Sequence, residues 1–271
     1  MTSSTFLDHA LWREHVYSGG WRSASVASDV IEPATGKPLT RTGRAVPADV
    51  TSAAAAAAAA QAAWSDTPPR ERAAVFHRAA ALFQQHFDEL AMYVTRETGG
   101  ILPKGQHELR EAVAFCHLAG GMPMQAQGQV LPSTAGRLSI ARRVPLGVVG
   151  VISPFNFPLI LTLRVVAPAL ALGNAVVLKP DPRTPVSGGL LIARILEEAG
   201  LPAGVLHVLP GGADVGEAMI ADPNIAMISF TGSAGVGRRI GELAGRQLKK
   251  VSLELGGSNS LIVLDDADVE H

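Results

Sequence analysis

Five short apolar runs, at residues 148–152, 175–178, 205–209, 226–230 and 251–254, alternate with stretches of helical spacing at 159–172, 186–199, 214–221 and 236–244. The runs are apolar throughout rather than at every second position, which is the pattern of strands covered on both faces. Strands joined through helices in this way run parallel, because the crossover returns the chain to the same edge of the sheet. The expected fold class is therefore α/β, a doubly wound parallel (Rossmann-like) sheet with right-handed crossovers.

The residues before the sheet read as mainly helical up to about Gly121, after a short extended entry around 16–30. The alanine-rich run 53–60 follows Pro47 and Asp49, residues suited to a first helical turn, and alanine has the best helix propensity. Pro68-Pro69 opens a further helical stretch carrying Val75, Ala79, Leu82, Leu90 and Val94, which Gly99-Gly100 ends. From Glu108 to Gly120, Leu109, Val113 and Cys116 share one helical face, so Cys116 is expected to be a buried, inert thiol. Between Gln127 and Val144 the pattern turns short and β-like, bounded by Gly128, Pro132 and Gly136, and predicts a protruding hairpin.

Bulk properties narrow the function. In 271 residues there are 47% hydrophobic and 17% charged side chains with a net charge of −1, a globular composition with no basic stripe for nucleic acid and no acidic tail. The most apolar stretch, 144–178, is interrupted by prolines, two asparagines and Arg164, which argues against a membrane span. One cysteine excludes an internal disulfide framework, and the first residues lack the features of a secretory signal, so a reducing cytoplasm is expected. Eight histidines without HxH or HExxH pairing, and one cysteine, give no metal site. A small molecule is the expected partner.

In a doubly wound sheet ligands bind beyond the carboxyl ends of the strands. Four residues at those ends carry useful chemistry. Asn156, in Ser153-Pro154-Phe155-Asn156-Phe157-Pro158, reads either as an Asx-type turn or as a buried amide whose N–H faces a developing oxyanion. Lys179 reads as a solvated charge or a ligand contact. Ser233, in Gly232-Ser233-Ala234-Gly235-Val236-Gly237, lies in a glycine-rich strand-to-helix turn that is either ordinary or a pyrophosphate cradle. Glu254, inside the apolar Leu253-Glu254-Leu255-Gly256-Gly257, reads as a general base whose pKa burial raises, or as the ion-pair partner of Lys249 or Lys250.

In this order, Pro154-Phe155-Asn156-Phe157-Pro158, Leu178-Lys179-Pro180, Phe230-Thr231-Gly232-Ser233 and Leu253-Glu254-Leu255-Gly256-Gly257 resemble the NAD(P)-dependent aldehyde dehydrogenase superfamily. The resemblance implies a cysteine thiolate attacking an aldehyde, hydride transfer to NAD or NADP, and hydrolysis of a thioester. It makes Asn156 the oxyanion donor and Glu254 the activator of the deacylating water. It places the cofactor on Ile152, Ser153, Pro154, Phe155, Lys179, Gly212, Gly216, Phe230, Gly232, Ser233, Val236 and Leu255, with Lys179 at the adenosine ribose, Ser233 at the pyrophosphate and Val236 on the adenine. The hairpin resembles an oligomerisation arm, which implies a homo-oligomer for the full-length enzyme.

The sequence departs from that pattern at two points. Family members often carry a glutamate three residues beyond the lysine to grip the ribose; here Pro182 stands there, in Lys179-Pro180-Asp181-Pro182-Arg183-Thr184-Pro185, and Arg183 becomes a candidate for a 2′-phosphate. The same string resembles benzaldehyde dehydrogenase-like members, which implies an aromatic aldehyde. The nucleophilic cysteine, expected a few tens of residues after the Leu-Glu-Leu-Gly-Gly segment, is absent, and the acidic residues 265–270 look like the start of a helix that is cut short. The expected organisation is a helical part of the cofactor-binding domain at 1–126, a hairpin arm at 127–145, the dinucleotide-binding domain at 146–256 and the start of a truncated catalytic domain at 257–271. The chain alone is then expected to be inactive; the alternative is a non-catalytic dinucleotide-binding fragment.

Overall fold

All five apolar runs become strands of one sheet in the computed structural model, which describes residues 6–268. The strands are β1 His15–Ser18, β2 Trp21–Ser23, β3 Val26–Glu32, β4 Lys37–Arg44, β5 Gly128–Leu131, β6 Ser139–Arg142, β7 Val148–Ile152, β8 Ala175–Lys179, β9 Leu206–Val208, β10 Ile225–Gly232 and β11 Lys250–Leu255. The helices are α1 His9–Trp12, α2 Pro47–Asp66, α3 Pro69–Gln85, α4 Phe87–Thr98, α5 Leu102–Gly121, α6 Pro158–Ala171, α7 Leu191–Glu198, α8 Ala213–Ala221 and α9 Ala234–Arg246. The sheet order is β11-β10-β7-β8-β9-β1-β2, with β7 to β11 parallel and β1 and β2 antiparallel at one edge.

Strand side chains divide between the two faces with a period of two. Val149, Val151, Val176 and Leu178 join a core with Phe76, Phe83, Leu109, Cys116 and Leu163, while Val148, Ile152, Val177 and Ile228 join another with Val50, Val215 and Met219. Fully burying a side chain of this size contributes roughly 1.5–3 kcal/mol. The alanine run of α2 is what lets it lie on the sheet: Ala53, Ala54 and Ala57 are buried, and larger side chains there would hold the helix off β8.

Four features differ from the sequence reading. The extended entry runs on to Arg44 as two hairpins, and the first of them adds two strands to the sheet. β1 docks on β9 partly through His207, whose buried Nε2 donates to the Gly204 carbonyl at 2.9 Å, leaving Nδ1 to accept from the Ser18 hydroxyl at 2.7 Å. Burial holds the pKa of His207 down, consistent with that neutral form. The helical stretch opened by Pro68-Pro69 breaks at His86, which leaves helical geometry at φ −107° and ψ 22° and separates α3 from α4. The segment expected as one helix over 186–199 begins with a π-helical turn, Val186–Leu190. There a Cβ on Gly189 would stand 2.6 Å from Val208 and 2.9 Å from Pro180, so only glycine admits the turn this close to β8 and β9. Finally, Asp265 and Asp266 form a turn rather than a helix start; residues 269–271, like the leader reading of residues 1–5, lie outside the described residues. Among the described residues no helix is long and apolar enough to cross a membrane.

Two buried carboxylates fix the helices that follow β7 and β8. Glu108 accepts from the backbone N–H of Leu159 at 2.9 Å and Ile160 at 3.3 Å, the first turn of α6, and pairs with Lys104 at 2.5 Å. Glu97 accepts from Val186 N at 3.0 Å and Ser187 N at 2.7 Å, where the helix dipole favours negative charge. Burial nevertheless pushes the pKa of Glu97 up from the usual 4.5 to about 7, with Glu108 adding repulsion. Because the folded form holds its proton more tightly than the unfolded form, this group lowers stability as pH rises from about 4.5 to about 7, by at most ~1.4 kcal/mol per pH unit. Denaturant unfolding across that range should show a component of this slope that Glu97→Gln abolishes; identical slopes in the two proteins would contradict it.

Candidate active site

β7 lies between β8 and β10, and from it the chain winds outward in both directions, to β8 and β9 on one side and to β10 and β11 on the other. That reversal opens a crevice beyond the carboxyl ends of β7 and β10. A cavity of about 630 Å³ occupies it. Its walls come from the residues after β7 (Ile152, Ser153, Pro154 and Phe155), the end of β8 (Lys179), and the first turn of α8 (Gly212 and Gly216). The end of β10 (Phe230 and Gly232) and the start of α9 (Ser233 and Val236) complete it.

Each wall residue is held there by local chemistry. Ser153 N donates to the Lys179 carbonyl at 3.1 Å, which ties the turn after β7 to the end of β8. The Ser153 hydroxyl is buried and, among the described residues, has no hydrogen-bond partner. Lys179 is only 8% exposed; its ammonium donates to the carbonyls of Gly211 at 3.0 Å and Pro180 at 3.4 Å. Burial holds its pKa below the ordinary lysine value, opposed by Asp181 and Asp214. Ser233 caps α9 by accepting from Val236 N at 3.4 Å, and Gly212 stands at the start of α8 with no side-chain cap. Two helix N-termini therefore meet at one cavity beside a buried cation, an arrangement that stabilises a diphosphate. Val236, half exposed, gives the mouth an apolar face.

Not every expected residue is on this wall. Leu255 instead packs against Gly237 of α9. Asn156 is exposed rather than buried, because Phe155 and Phe157 on either side are themselves open, at 43% and 36%, and burial begins only at Pro158. Glu254 is also exposed, its side chain 61% accessible; β11 forms the outer edge of the sheet, and α9 packs on the face that carries Leu253 and Leu255, opposite the one that carries Glu254. Its partner is neither Lys249 nor Lys250 but Arg164 of α6, at 3.7 Å, and Lys249 donates to the Asp222 carbonyl. Arg164 also donates to Thr231 Oγ1 at 3.4 Å, and Thr231 stands opposite Glu254 in the β10–β11 register. The one cation in an otherwise apolar helix was the available signal for Arg164. Asp181, Glu217 and Arg239 line the cavity without any sequence signal that separated them from surface charges.

Cys116 is fully buried and its thiol is pushed up to about 12, as expected of an apolar helix face. Among the described residues no group of three or more His, Cys, Asp or Glu side chains could hold a metal ion.

Residues 21–271 match the aldehyde dehydrogenase family. The chain belongs to that family. This family member is 58% identical, over 98% of its length, to a vanillin dehydrogenase from Amycolatopsis sp., of which it covers 55%. It is 52% identical over 97% of its length to the Pseudomonas putida benzaldehyde dehydrogenase [NAD(+)], covering 54% of it. The crystal structure of a NAD-dependent benzaldehyde dehydrogenase from Corynebacterium glutamicum superposes on the whole chain with a TM-score of 0.88 at 41% identity, and 59% of that protein is covered. The chain thus spans about half the length of these aldehyde dehydrogenases.

Gly216 faces the cavity with only ordinary contacts for an added Cβ, 3.6 Å to Ile152 and 3.7 Å to Lys179. Gly216→Leu should fill the cavity and weaken dinucleotide binding by about tenfold or more, ~1.4 kcal/mol. It should not lower thermal stability, since leucine favours a helix over glycine. Calorimetric titration together with a melting curve checks both; unchanged affinity would show that the dinucleotide binds elsewhere.

Proposed function

We propose that this chain is the cofactor-binding part of an NAD(P)-dependent aldehyde dehydrogenase that oxidises an aldehyde of the aromatic, benzaldehyde-like class to its carboxylic acid. The observation that carries the reading is the crevice cavity, which gathers a buried cation, an unpartnered buried hydroxyl and two helix N-termini at the switch point of a doubly wound sheet. The vanillin and benzaldehyde dehydrogenases among its relatives support the substrate class.

When bound, the nicotinamide supplies the hydride acceptor. The chain's own residues bind and orient. Lys179 donates to the adenosine ribose, the starts of α8 and α9 with Ser233 face the pyrophosphate, Val236 covers the adenine, and Ile152 to Phe155 and Phe230 exclude water. The Asn156 amide donates to the oxygen that gains charge as the aldehyde is attacked, which requires an N–H not already spent; no hydrogen bond engages it among the described residues. The turn that bears it is held by Glu108 of α5, which accepts from the first turn of α6, and by Lys104, 4.8 Å over the Phe157 ring. Glu254, accessible to water and oriented by Arg164, takes the proton of the deacylating water.

The attacking thiol is not Cys116, which is buried and lacks thiolate character. The nucleophile is supplied by residues other than these 271, and the chain alone binds dinucleotide without turnover, which also favours reading the isolated chain as a binding module. We further propose a cytoplasmic setting, from its single cysteine, and homo-oligomer assembly through the β5–β6 hairpin, where Val130, Leu138 and Ile140 are 73%, 71% and 57% exposed.

With benzaldehyde and NAD+, the 271-residue chain should bind dinucleotide yet produce no NADH absorbance. In a form extended to a nucleophilic cysteine, Asn156→Ala should lower kcat about 100-fold or more. In that form Glu254→Gln should accumulate a thioester detectable by mass spectrometry. Normal turnover by Glu254→Gln would remove the carboxylate from the mechanism.

A further inference from the structure

The histidines form no pair within one helix or strand, but two of them meet across two helices. His77 of α3 and His117 of α5 are both exposed, and their ring centroids stand 5.9 Å apart with 39° between the planes. Glycine makes this approach possible. The Cε1, Nε2 and Nδ1 atoms of His77 lie 2.7, 2.9 and 3.0 Å from where a Cβ on Gly120 would stand, one turn beyond His117 on the same helix. The nitrogen-bearing edge of His77 is therefore the edge turned onto α5. Gly121, exposed and with open space where its Cβ would be, leaves the notch accessible to solvent.

Neither imidazole is spent on the fold. Among the described residues neither has a hydrogen-bond or ion-pair partner, and their one ring contact is with each other. Other histidines are engaged: His207 bonds to Gly204 and Ser18, His15 to Arg13 and Ser23, His86 stacks on Phe6, and His9 lies against Trp12 and Tyr93. Exposed imidazoles with free ring nitrogens are the donors that zinc, nickel and copper ions take. An ion roughly 2.0–2.1 Å from one nitrogen of each ring sets the centroids about 5 Å apart at a tetrahedral angle and about 6.4 Å apart when the two bonds are collinear. The observed 5.9 Å lies between those limits.

We propose that His77 and His117 form a two-imidazole site for a divalent transition-metal ion, with water completing its coordination, that staples α3 to α5. The ion is of the borderline class, since hard cations such as magnesium and calcium take oxygen donors. Neither histidine lines the crevice cavity, so the site is separate from the dinucleotide reading. The expectation of no metal rested on pairing within one element, and this pair exists only once α3 and α5 are packed together. With two protein ligands the ion is exchangeable, it competes with protons for the same nitrogens, and it stabilises the folded chain by mass action.

Calorimetric titration of the 271-residue chain with nickel chloride and zinc chloride, with magnesium chloride for comparison, tests the site. The wild type should take up nickel or zinc but not magnesium, and its melting temperature should rise with the bound ion. His77→Ala and His117→Ala should each weaken binding about tenfold or more, while His107→Ala, which removes an imidazole elsewhere on α5, should leave it unchanged. Gly120→Ala should weaken it as much with both histidines present, because the added methyl drives the His77 ring off α5. Alanine favours a helix over glycine, so that variant should stay folded by circular dichroism. A wild type that takes up neither nickel nor zinc overturns the site. So does wild-type affinity in His77→Ala or His117→Ala, or an equal loss in His107→Ala.

Discussion

Parallel strands need crossovers, and each crossover here leaves the carboxyl end of a strand through a turn and re-enters through the amino end of a helix. Because β7 is flanked by both β8 and β10, the crossover through α6 after β7 and the one through α9 after β10 diverge, and the space between them cannot be filled by either. The cavity is a consequence of that strand order. So is its chemistry, since the same geometry aims the starts of α8 and α9 and the tip of β8 into one volume. The glycines at its wall, Gly212, Gly216 and Gly232, keep that volume open.

The crevice is kept in shape from the far side of the sheet. α4 and α5 present Glu97 and Glu108, which accept the first backbone N–H groups of the segments following β8 and β7. Burying a carboxylate is costly unless it is hydrogen-bonded or paired, and each has two backbone donors; Glu108 has Lys104 as well. The helical amino-terminal part thus does more than cover the sheet: it fixes the turn carrying Asn156 and the loop from Lys179 to Val186. On the opposite edge, Arg164 links α6 to Thr231 and Glu254, so both candidate catalytic side chains hang from α6 or its contacts.

What the sequence disclosed and what it withheld have physical reasons. The five parallel strands were legible because burial on both faces leaves continuous apolar runs such as Val148-Val149-Gly150-Val151-Ile152. β1 and β2 were not, since edge strands of four and three residues carry mixed side chains and are fixed by a distant contact, Ser18 to His207. The wall of the crevice cavity was legible because strand ends and glycine-rich turns mark it. Leu255 was displaced from it because α9 packs over β11 and takes that side chain for Gly237. For Asn156 and Glu254, position along the chain was readable but environment was not: an apolar sequence neighbourhood does not bury a side chain at an open turn or on an edge strand. Arg183 illustrates the same limit: it stands beside the lysine in sequence, and in space it is occupied by Asp181.

The position of the bound dinucleotide decides whether the crevice is the cofactor site. A crystal structure of the chain grown with NAD+ should show the adenosine ribose against Lys179 and the diphosphate between the starts of α8 and α9, with Gly216 beneath it. A dinucleotide ordered elsewhere on the surface, with the crevice between β7 and β10 filled only by water, would contradict it.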